Sequence, residues 1–593
     1  MLSGFQTLFG IFLVLAPFFT IFYFKNRFKA FLCIFIYSTV FQVLLAMLTQ
    51  TLGIFVYWLI LSINAIFVIG YLVYIIRNNK PDFHPKLNWF VVVALLFMFS
   101  HFSFVHHNYT GLINNLIGVS KVQNFSYDYP YFSDEWAAVS LTKYSINHHA
   151  LPNVNPLWKN DPFPNLMLVY FSYISDIMLL LKLDPLVSIQ YVAVCSAMLI
   201  GLFSFLYLRS LRFRNVASVL PIIFLPYITN GANLPGLWYA MPFIVSFVFL
   251  LAGILCLEKR ESKLAVVSGL ISLVFYPPMI IFILPIILVR LFVDKISIKK
   301  LKLISLVIGL GAGCLGLITL ALVLNGGFTK TFSFITSQVI HKAIDGGIPA
   351  YAIWNILPLV VILFAGYGLY LAFKAKKYEV VSVVITGLFF WVAYSFTQNI
   401  FIIDYPRVVV ITAILLVLVS GFGFEKTFDF IENRYQISIY GQDYKTYLSI
   451  LILIIFFFSM FTYTDNLKWQ KFTMLIKTAQ GVKKMNPAPP ANIYLTPSDL
   501  KIFSLIKEKT FITTPWKGLA IGAATGNYPL ETKPSTITNR YISYNSFMSA
   551  SCVDKNKLAE NNIDFVYSTK LDCPSFKPLV SSSEGFYLYK FIK

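Results

Sequence analysis

The chain has 593 residues, of which 58% are hydrophobic, 17% aromatic and only 12% charged, about half the charged share of an ordinary soluble domain. This excludes a conventional cytosolic enzyme. The net charge of +21, from 47 Lys+Arg against 26 Asp+Glu, would suit a nucleic-acid partner, but membrane proteins collect Lys and Arg in cytoplasmic loops, so the placement of the charge decides.

Apolar runs of about 20 residues, long enough to cross a hydrocarbon core of about 30 Å, recur from Phe5 to Tyr463. In chain order they cover 5–24, 30–49, 52–76, 87–105, 186–208, 215–230, 239–257, 264–276, 278–293, 303–324, 351–373, 380–399, 405–424 and 446–464. They predict a polytopic α-helical membrane protein with about 14 transmembrane helices (range 12–14). The weakest part of the count is 264–293, which Tyr276-Pro277-Pro278 lets read as one kinked span or as two. Phe5 to Phe24 lacks a basic leader and an A-x-A site, so it reads as the first span.

The segment 165–183 is apolar enough to span, yet it carries Asp176 near its centre and Lys182 at its end. If it does not span, the cytoplasmic loops hold 23 of the 30 basic residues in 1–464; if it does, 17 of those 23 change side. The bias of basic residues toward the cytoplasm therefore favours an interfacial helix at the outer membrane surface. Its pattern agrees, with Asn165, Ser172, Ser175 and Asp176 on one helical face. Loops 106–185 and 325–350, both termini and the C-terminal region are then extracytoplasmic, at a plasma membrane or bacterial inner membrane.

Composition shifts once, near residue 464. Residues 1–464 hold 30 Lys+Arg and 17 Asp+Glu, whereas 465–593 hold 17 and 9 in far fewer residues. The expected division is a transmembrane catalytic domain, 1–464, and a soluble α/β domain, 465–593, entered through Met485-Asn486-Pro487-Ala488-Pro489-Pro490. The tail's helical stretch is Asp499 to Glu508, and its strands are Thr510 to Thr514, Phe565 to Ser568 and Phe586 to Phe591. Of the +21, the membrane body carries +13 and the tail +8. Most of the excess is an orientation signal, and no nucleic-acid partner is expected.

Ionisable groups gather on the outer side. Ser133-Asp134-Glu135-Trp136 opens the first outer loop's chemistry, followed by Lys143, His148 and His149 as supporting groups. Adjacent carboxylates repel and raise the proton affinity of one of them, which suits a proton acceptor. Asp404-Tyr405-Pro406-Arg407 sets a cation at the outer end of a span, where a guanidinium grips phosphate through two N–H groups. The pairs His106-His107 and His148-His149 lack the fixed partner spacing of a metal motif. Cys33, Cys195, Cys256 and Cys314 lie in spans, while Cys552 and Cys573, the two in the outer tail, are expected to form a disulfide. No P-loop, G-x-G-x-x-G or G-x-S-x-G motif occurs.

The order of these features resembles the glycosyltransferase C superfamily, which includes aminoarabinose, protein O-mannosyl and arabinofuranosyl transferases. The likeness runs through Asp134-Glu135, an aromatic-rich helix, Leu151-Pro152, the turn Asp161 to Pro164, the interfacial helix and the basic Arg209-Ser210-Leu211-Arg212. It continues through Phe275-Tyr276-Pro277-Pro278, Pro406-Arg407 and an outward C-terminal domain with Trp516 and Tyr541 to Tyr544. Two features depart from it: four spans precede the acidic loop, and no W-W-D signature occurs in the tail, which argues against transfer to asparagine.

The resemblance implies inverting transfer of a single sugar from a polyprenyl-phosphate donor to a cell-envelope glycan, lipid or protein acceptor. Asp134 would be the general base, Glu135 would orient the acceptor or share the proton, and Arg407 would bind the donor phosphate with Asp404 and Tyr405 in support. Trp516, Tyr528, Tyr541 and Tyr544 would offer aromatic faces to an acceptor glycan. The sequence names no cofactor; Mg or Mn is the ion left open. The rival readings are a lipid-linked oligosaccharide flippase, whose signature would be mid-span charges, and a polymerase or ligase with a lipid-pyrophosphate donor, for which loop 325–350 supplies Lys330, His341, Lys342 and Asp345.

Overall fold

A computed structural model describes residues 2–78, 88–107, 109–115, 118–125, 128–130, 133–159, 161–162, 165–228, 236–237, 239–293, 340–342, 350–435, 495–532 and 553–591, the last with breaks at 554, 561, 572, 574–575 and 584. The N-terminal body opens with α1 (Leu2–Phe19), α2 (Arg27–Thr51), α3 (Tyr57–Asn78) and α4 (Trp89–His107). The antiparallel pair β1 (Tyr109–Asn115) and β2 (Gly118–Phe125) leads to α5 (Ser133–His148), β3 (Val154–Asn155), β4 (Asp161–Pro162) and α6 (Leu168–Leu180). The body continues through α7 (Pro185–Ser210), α8 (Asn215–Phe224), α9 (Pro242–Glu258), α10 (Ser262–Phe275) and α11 (Ile280–Val293). After β5 (Ile340–Lys342) come α12 (Leu359–Lys374), α13 (Tyr378–Thr397), β6 (Asn399–Phe401) and α14 (Tyr405–Tyr435).

Six helical segments among the described residues are long and apolar enough to cross a membrane: 4–23, α2, α3, α7, α13 and 405–430 of α14. Six other expected spans fall on shorter helices or helices that carry more polar residues, namely α4, α8 to α11 and α12. The expected spans 303–324 and 446–464 lie outside the described residues.

Charged side chains divide the body into two ends. At one end Lys29 pairs with Glu261 at 2.8 Å, Lys377 with Glu258 at 2.7 Å, Arg214 with Asp429 at 2.9 Å, and Arg290 with Glu379. Helix α10 begins at this end and α11 finishes there, so the Tyr276-Pro277-Pro278 turn between them lies at the other. Helices α10 and α11 are thus two antiparallel segments, the first packed on α9 and the second on α13. Helix α14 carries Arg407 at its start and Glu425 eighteen residues later, a separation of about 27 Å.

Helix α14 is the axis of the body, almost wholly buried along 405–430. Small residues let its backbone approach its neighbours: a Cβ on Gly423 would sit 2.5 Å from the Phe364 carbonyl oxygen of α12, and Gly387 of α13 faces Thr412. Close backbone packing through glycine holds helices together where apolar burial alone gives no preference between lipid and protein.

The segment 165–183 folds as a helix whose polar face is covered by protein. Helix α6 spans Leu168–Leu180, and its polar residues Ser172, Ser175 and Asp176 are fully buried instead of facing water. The Ser175 hydroxyl donates to the Phe171 carbonyl at 2.7 Å, and Gln50 Nε2 of α2 donates to the Ser172 carbonyl at 3.3 Å. The polar face is covered because α6 is clamped between α5 and α2, a tertiary arrangement that helical periodicity does not encode.

The C-terminal region is a small α/β unit. Helix α15 (Pro497–Phe503), β7 (Thr510–Ile512), α16 (Pro515–Thr525), β8 (Tyr528–Pro529), α17 (Lys555–Glu560), β9 (Phe565–Thr569), β10 (Phe576–Ser581) and β11 (Phe586–Phe591) follow in order. The sheet order is β10-β11-β9-β7-β8, with β7 parallel to both β8 and β9 and the β9-β11-β10 side antiparallel. A buried ion pair staples it: Lys517 Nζ lies 2.5 Å from Asp499 Oδ2, and the Tyr567 hydroxyl donates to Asp499 Oδ1 at 2.5 Å. Asp499 also closes the α15 capping box with Thr496. Cys573 is disulfide-bonded; its expected partner Cys552 lies outside the described residues, as do Tyr541, Tyr544 and the 485–490 linker. Helix α16 rests directly on α5, with Gly522 against Leu157, so the unit sits on the helix that carries Asp134.

Candidate functional site

Asp134 and Glu135 occupy the first turn of α5, where the unpaired N–H groups of a helix favour carboxylates. They diverge from there. Glu135 is fully buried and its Oε1 accepts the Ala240 N–H at 2.9 Å, tying α5 to the segment that leads into α9. The Asp134 side chain is 14% exposed and points to Arg407. Glu135 thereby ties two elements of the body together.

Arg407 lies in the first turn of α14, behind Tyr405 and Pro406, whose ring suits the start of a helix. The approach to that helix is strained: Ile402 has φ +60°, a conformation that β-branched residues rarely adopt. Arg407 Nη2 lies 3.0 Å from Asp404 Oδ2 and 3.7 Å from Asp134 Oδ2. Its Nη1 donates to the Tyr276 hydroxyl at 2.7 Å. The guanidinium carbon stands 5.5 Å from the centre of the Tyr276 ring and 6.0 Å from that of Phe243, within cation-π range of both. The Arg407 side chain, 16% exposed, is thus held by two carboxylates and by the rings of Tyr276 and Phe243, the first also through its hydroxyl.

Tyr405 supports this end of α14 from behind. It is buried, stacks on Tyr394 with ring centres 3.7 Å apart, and accepts the Tyr351 N–H at 2.8 Å. Trp391 Nε1 donates to the Tyr351 carbonyl at 2.7 Å. Strand β6, just ahead of Asp404, pairs with β5, so the backbone of His341 and Lys342 in loop 325–350 reaches the same end.

The other expected supporting groups lie elsewhere. Lys143 Nζ donates to the Ala524 carbonyl at the end of α16 at 3.0 Å and lies 3.7 Å from Asp184. Burial pushes its ammonium below the usual lysine range, against the pull of Asp184. His149 contacts the Phe55 carbonyl at 2.7 Å, and His148 stacks on Tyr144. These residues bound or flank a second feature, a cavity of about 640 Å³ between the far half of α5, the α6–α7 turn and the tail, lined by Lys143, Tyr144, His148, Lys182, Glu508 and Tyr528 among others. Trp516 is half-buried on α16 and does not line it.

Among the described residues no three His, Cys, Asp or Glu side chains converge as a metal cage would require. The two carboxylates at the site face Arg407. Among the described residues the donor set is thus two carboxylates already facing a cation, fewer oxygen ligands than a divalent ion takes.

Sequence reasoning singled out Asp134, Asp404, Tyr405 and Arg407, which the fold gathers at one end of the body. It gave no role to Tyr276 or Phe243. The signal for Tyr276 was its position just before Pro277-Pro278 at a span end; Phe243 carried none.

No protein-family model and no curated protein matches the chain. Among solved structures, the chain is similar to the oligosaccharyltransferase of Archaeoglobus fulgidus. For the form tethered with an acceptor peptide containing the NVT sequon, the TM-score is 0.47 at 13% identity, covering 82% of this chain and 69% of that one. The apo form gives 0.48 at 12% identity, with 81% and 69% covered. The archaeal oligosaccharyltransferase AglB in complex with an inhibitory peptide and a dolichol-phosphate gives 0.49 at 11% identity, with 81% and 69% covered.

Proposed function

We propose that the chain is a membrane glycosyltransferase of the glycosyltransferase C type that moves a single sugar, with inversion, from a polyprenyl-phosphate donor to an envelope glycan, lipid or protein acceptor. The observation that carries this reading is the 3.7 Å approach of Arg407 Nη2 to Asp134 Oδ2, which sets a proton acceptor beside an anion-binding cation. In the reaction the acceptor hydroxyl oxygen attacks the anomeric carbon, and Asp134 takes the hydroxyl proton. The bond from that carbon to the phosphate oxygen breaks, and the electron pair leaves with the polyprenyl phosphate. A positioned base contributes about 10²- to 10⁴-fold. Arg407 meets the negative charge that develops on the leaving oxygen.

Placement supports the same chemistry. The site lies at one end of a helical body, where the sugar-phosphate bond of a lipid donor sits near headgroup depth. The site's end is the extracytoplasmic one in this reading, with the cluster of Lys29, Arg214, Arg290 and Lys377 on the cytoplasmic side. Fourteen spans, with 303–324 and 446–464 completing the set, and domains 1–464 and 465–593 belong to it, as does a Cys552–Cys573 disulfide in the tail. The cavity between α5 and the tail, with Tyr144 and Tyr528 in its wall, is the acceptor's approach, in a size range typical of ligand sites.

One contact favours a second reading, a ligase or polymerase with a lipid-pyrophosphate donor: β5 brings His341 and Lys342 to the strand ahead of Asp404. Deleting the gene and measuring envelope glycans and prenyl-linked sugars by intact mass tests both. Accumulated polyprenyl-monophosphate sugar, with a glycan lighter by one residue, supports the first reading. Accumulated pyrophosphate-linked oligosaccharide supports the second, and unchanged pools contradict both.

A further inference from the structure

Arg407 is drawn from one side by two carboxylates. Asp404 Oδ2 holds Nη2 at 3.0 Å, and Asp134 Oδ2 lies 3.7 Å from the same nitrogen. Left to these two, the guanidinium would turn its paired N–H groups onto Asp134, because bidentate pairing with a carboxylate is its strongest geometry. That collapse would engage the base and close the anion site together.

Tyr276 opposes it. Its hydroxyl accepts from Nη1 at 2.7 Å, the other terminal nitrogen, so closure onto Asp134 costs that hydrogen bond. The phenol is itself fixed: Tyr276 is 2% exposed, its N–H donates to the Ser272 carbonyl at 3.1 Å, and its carbonyl accepts the Met279 N–H at 2.9 Å across the two prolines. The Pro277-Pro278 turn cannot continue α10, and it sets the tyrosine at the junction of α10 and α11, at the site's end of the body.

We infer that Tyr276 is a positioning residue, which holds the Arg407 guanidinium open toward a phosphate anion and away from the catalytic carboxylate of Asp134. The inference rests on the reading of Arg407 as the donor-phosphate group. A preorganised cation binds its anion without first breaking an internal ion pair, and the gain appears in donor affinity and not in acceptor affinity.

The test is binding of a polyprenyl monophosphate to the detergent-solubilised full chain, measured for the wild type, Tyr276→Phe, Phe243→Leu and Arg407→Ala. Tyr276→Phe keeps the ring and removes only the acceptor oxygen; it is expected to weaken binding about 10- to 150-fold, the scale of one hydrogen bond to a charged group, with the acceptor KM unchanged. Phe243→Leu alters packing on the same guanidinium and is expected to change binding by less than about 3-fold, which separates the hydroxyl from the aromatic wall. Wild-type binding that Arg407→Ala abolishes and Tyr276→Phe leaves intact would overturn the positioning role while sparing the phosphate reading. No binding by the wild type would overturn the phosphate reading and this inference with it. Should Tyr276→Phe not be recovered folded, Tyr276→His is measured in its place. Weakened donor binding with an unchanged acceptor KM then supports the role, and full binding by a variant whose ring nitrogens cannot reach Nη1 overturns it.

Discussion

Arg407 and Asp134 come from separate helices, α14 and α5, and meet at 3.7 Å through Nη2 and Oδ2. Neither would find the other without the long apolar helices that return the chain to the same end of the body. In the proposed reaction the pair joins the two halves of a displacement, one group for the proton and one for the leaving charge.

Arg407 also tests that division of labour. Arg407→Lys keeps a charge but loses the fork that reaches Tyr276 and Asp404 together. We expect the donor KM to rise on the order of 10- to 100-fold with the acceptor KM within about twofold, read by initial rates at varied donor. A change confined to the acceptor KM would contradict the assignment.

Glu135 behaves as a structural tie. Glu135→Ala removes the acceptor of the Ala240 N–H inside the protein and should lower stability by about 1–3 kcal/mol, seen as a reduced thermal midpoint in detergent. Glu135→Gln, which keeps an acceptor oxygen, should retain most transfer activity. If Glu135→Gln were as inactive as a lost base, the chemical and structural roles of the two acids would have to be exchanged.

The difference between the two acids shows what was legible in the sequence and what was not. Helix positions follow from apolar length, so α1 to α4 and α7 to α14 fall on the apolar runs, while strands β7 and β9 fall on the tail's short apolar runs and β11 on its amphipathic one. Asp134 and Arg407 stand out as charges that break an apolar pattern. Which of two adjacent carboxylates faces Arg407 depends on the Ala240 N–H, which Glu135 accepts from more than a hundred residues away, and local sequence carries no trace of it. The burial of Asp176 and Ser172, on a helix whose polar face resembles a water-facing one, fails for the same reason: α5 and α2 cover that face. Tyr276 was visible only as the residue before Pro-Pro, and its partner Nη1 only in three dimensions.

In the tail, Lys517 and Asp499 are both fully buried and paired at 2.5 Å. Removing one partner leaves an uncompensated charge, so Lys517→Met should destabilise by about 3–5 kcal/mol. The double variant Lys517→Met with Asp499→Leu should recover part of that loss. Denaturation of the full chain, followed at the tail by hydrogen exchange of β7 and β9, reads both, and a loss in the double variant equal to the sum of the singles would contradict the pairing.

Glu531 gives the tail a pH dependence. Burial pushes its carboxyl up to about 7, against an ordinary value of 4.5. Between those values the folded state binds more protons than the unfolded state, so this residue's contribution falls as pH rises from about 4.5 to about 7 and is flat above. Glu531→Gln should remove that slope: the difference in tail stability between wild type and variant should shift toward the variant from pH 5 to pH 7.5. A constant difference across that range would contradict the assignment.

The most direct measurement is sugar transfer by the purified chain in proteoliposomes supplied with a labelled polyprenyl-phosphate sugar and a membrane-derived acceptor fraction, comparing wild type with Asp134→Asn. The account predicts labelled acceptor and released polyprenyl phosphate in equal amounts with the wild type. For Asp134→Asn it predicts a loss of about 10²- to 10⁴-fold with the thermal midpoint and lipid-phosphate binding retained. Full transfer by Asp134→Asn, or no transfer by a wild-type chain that binds the donor, would contradict it.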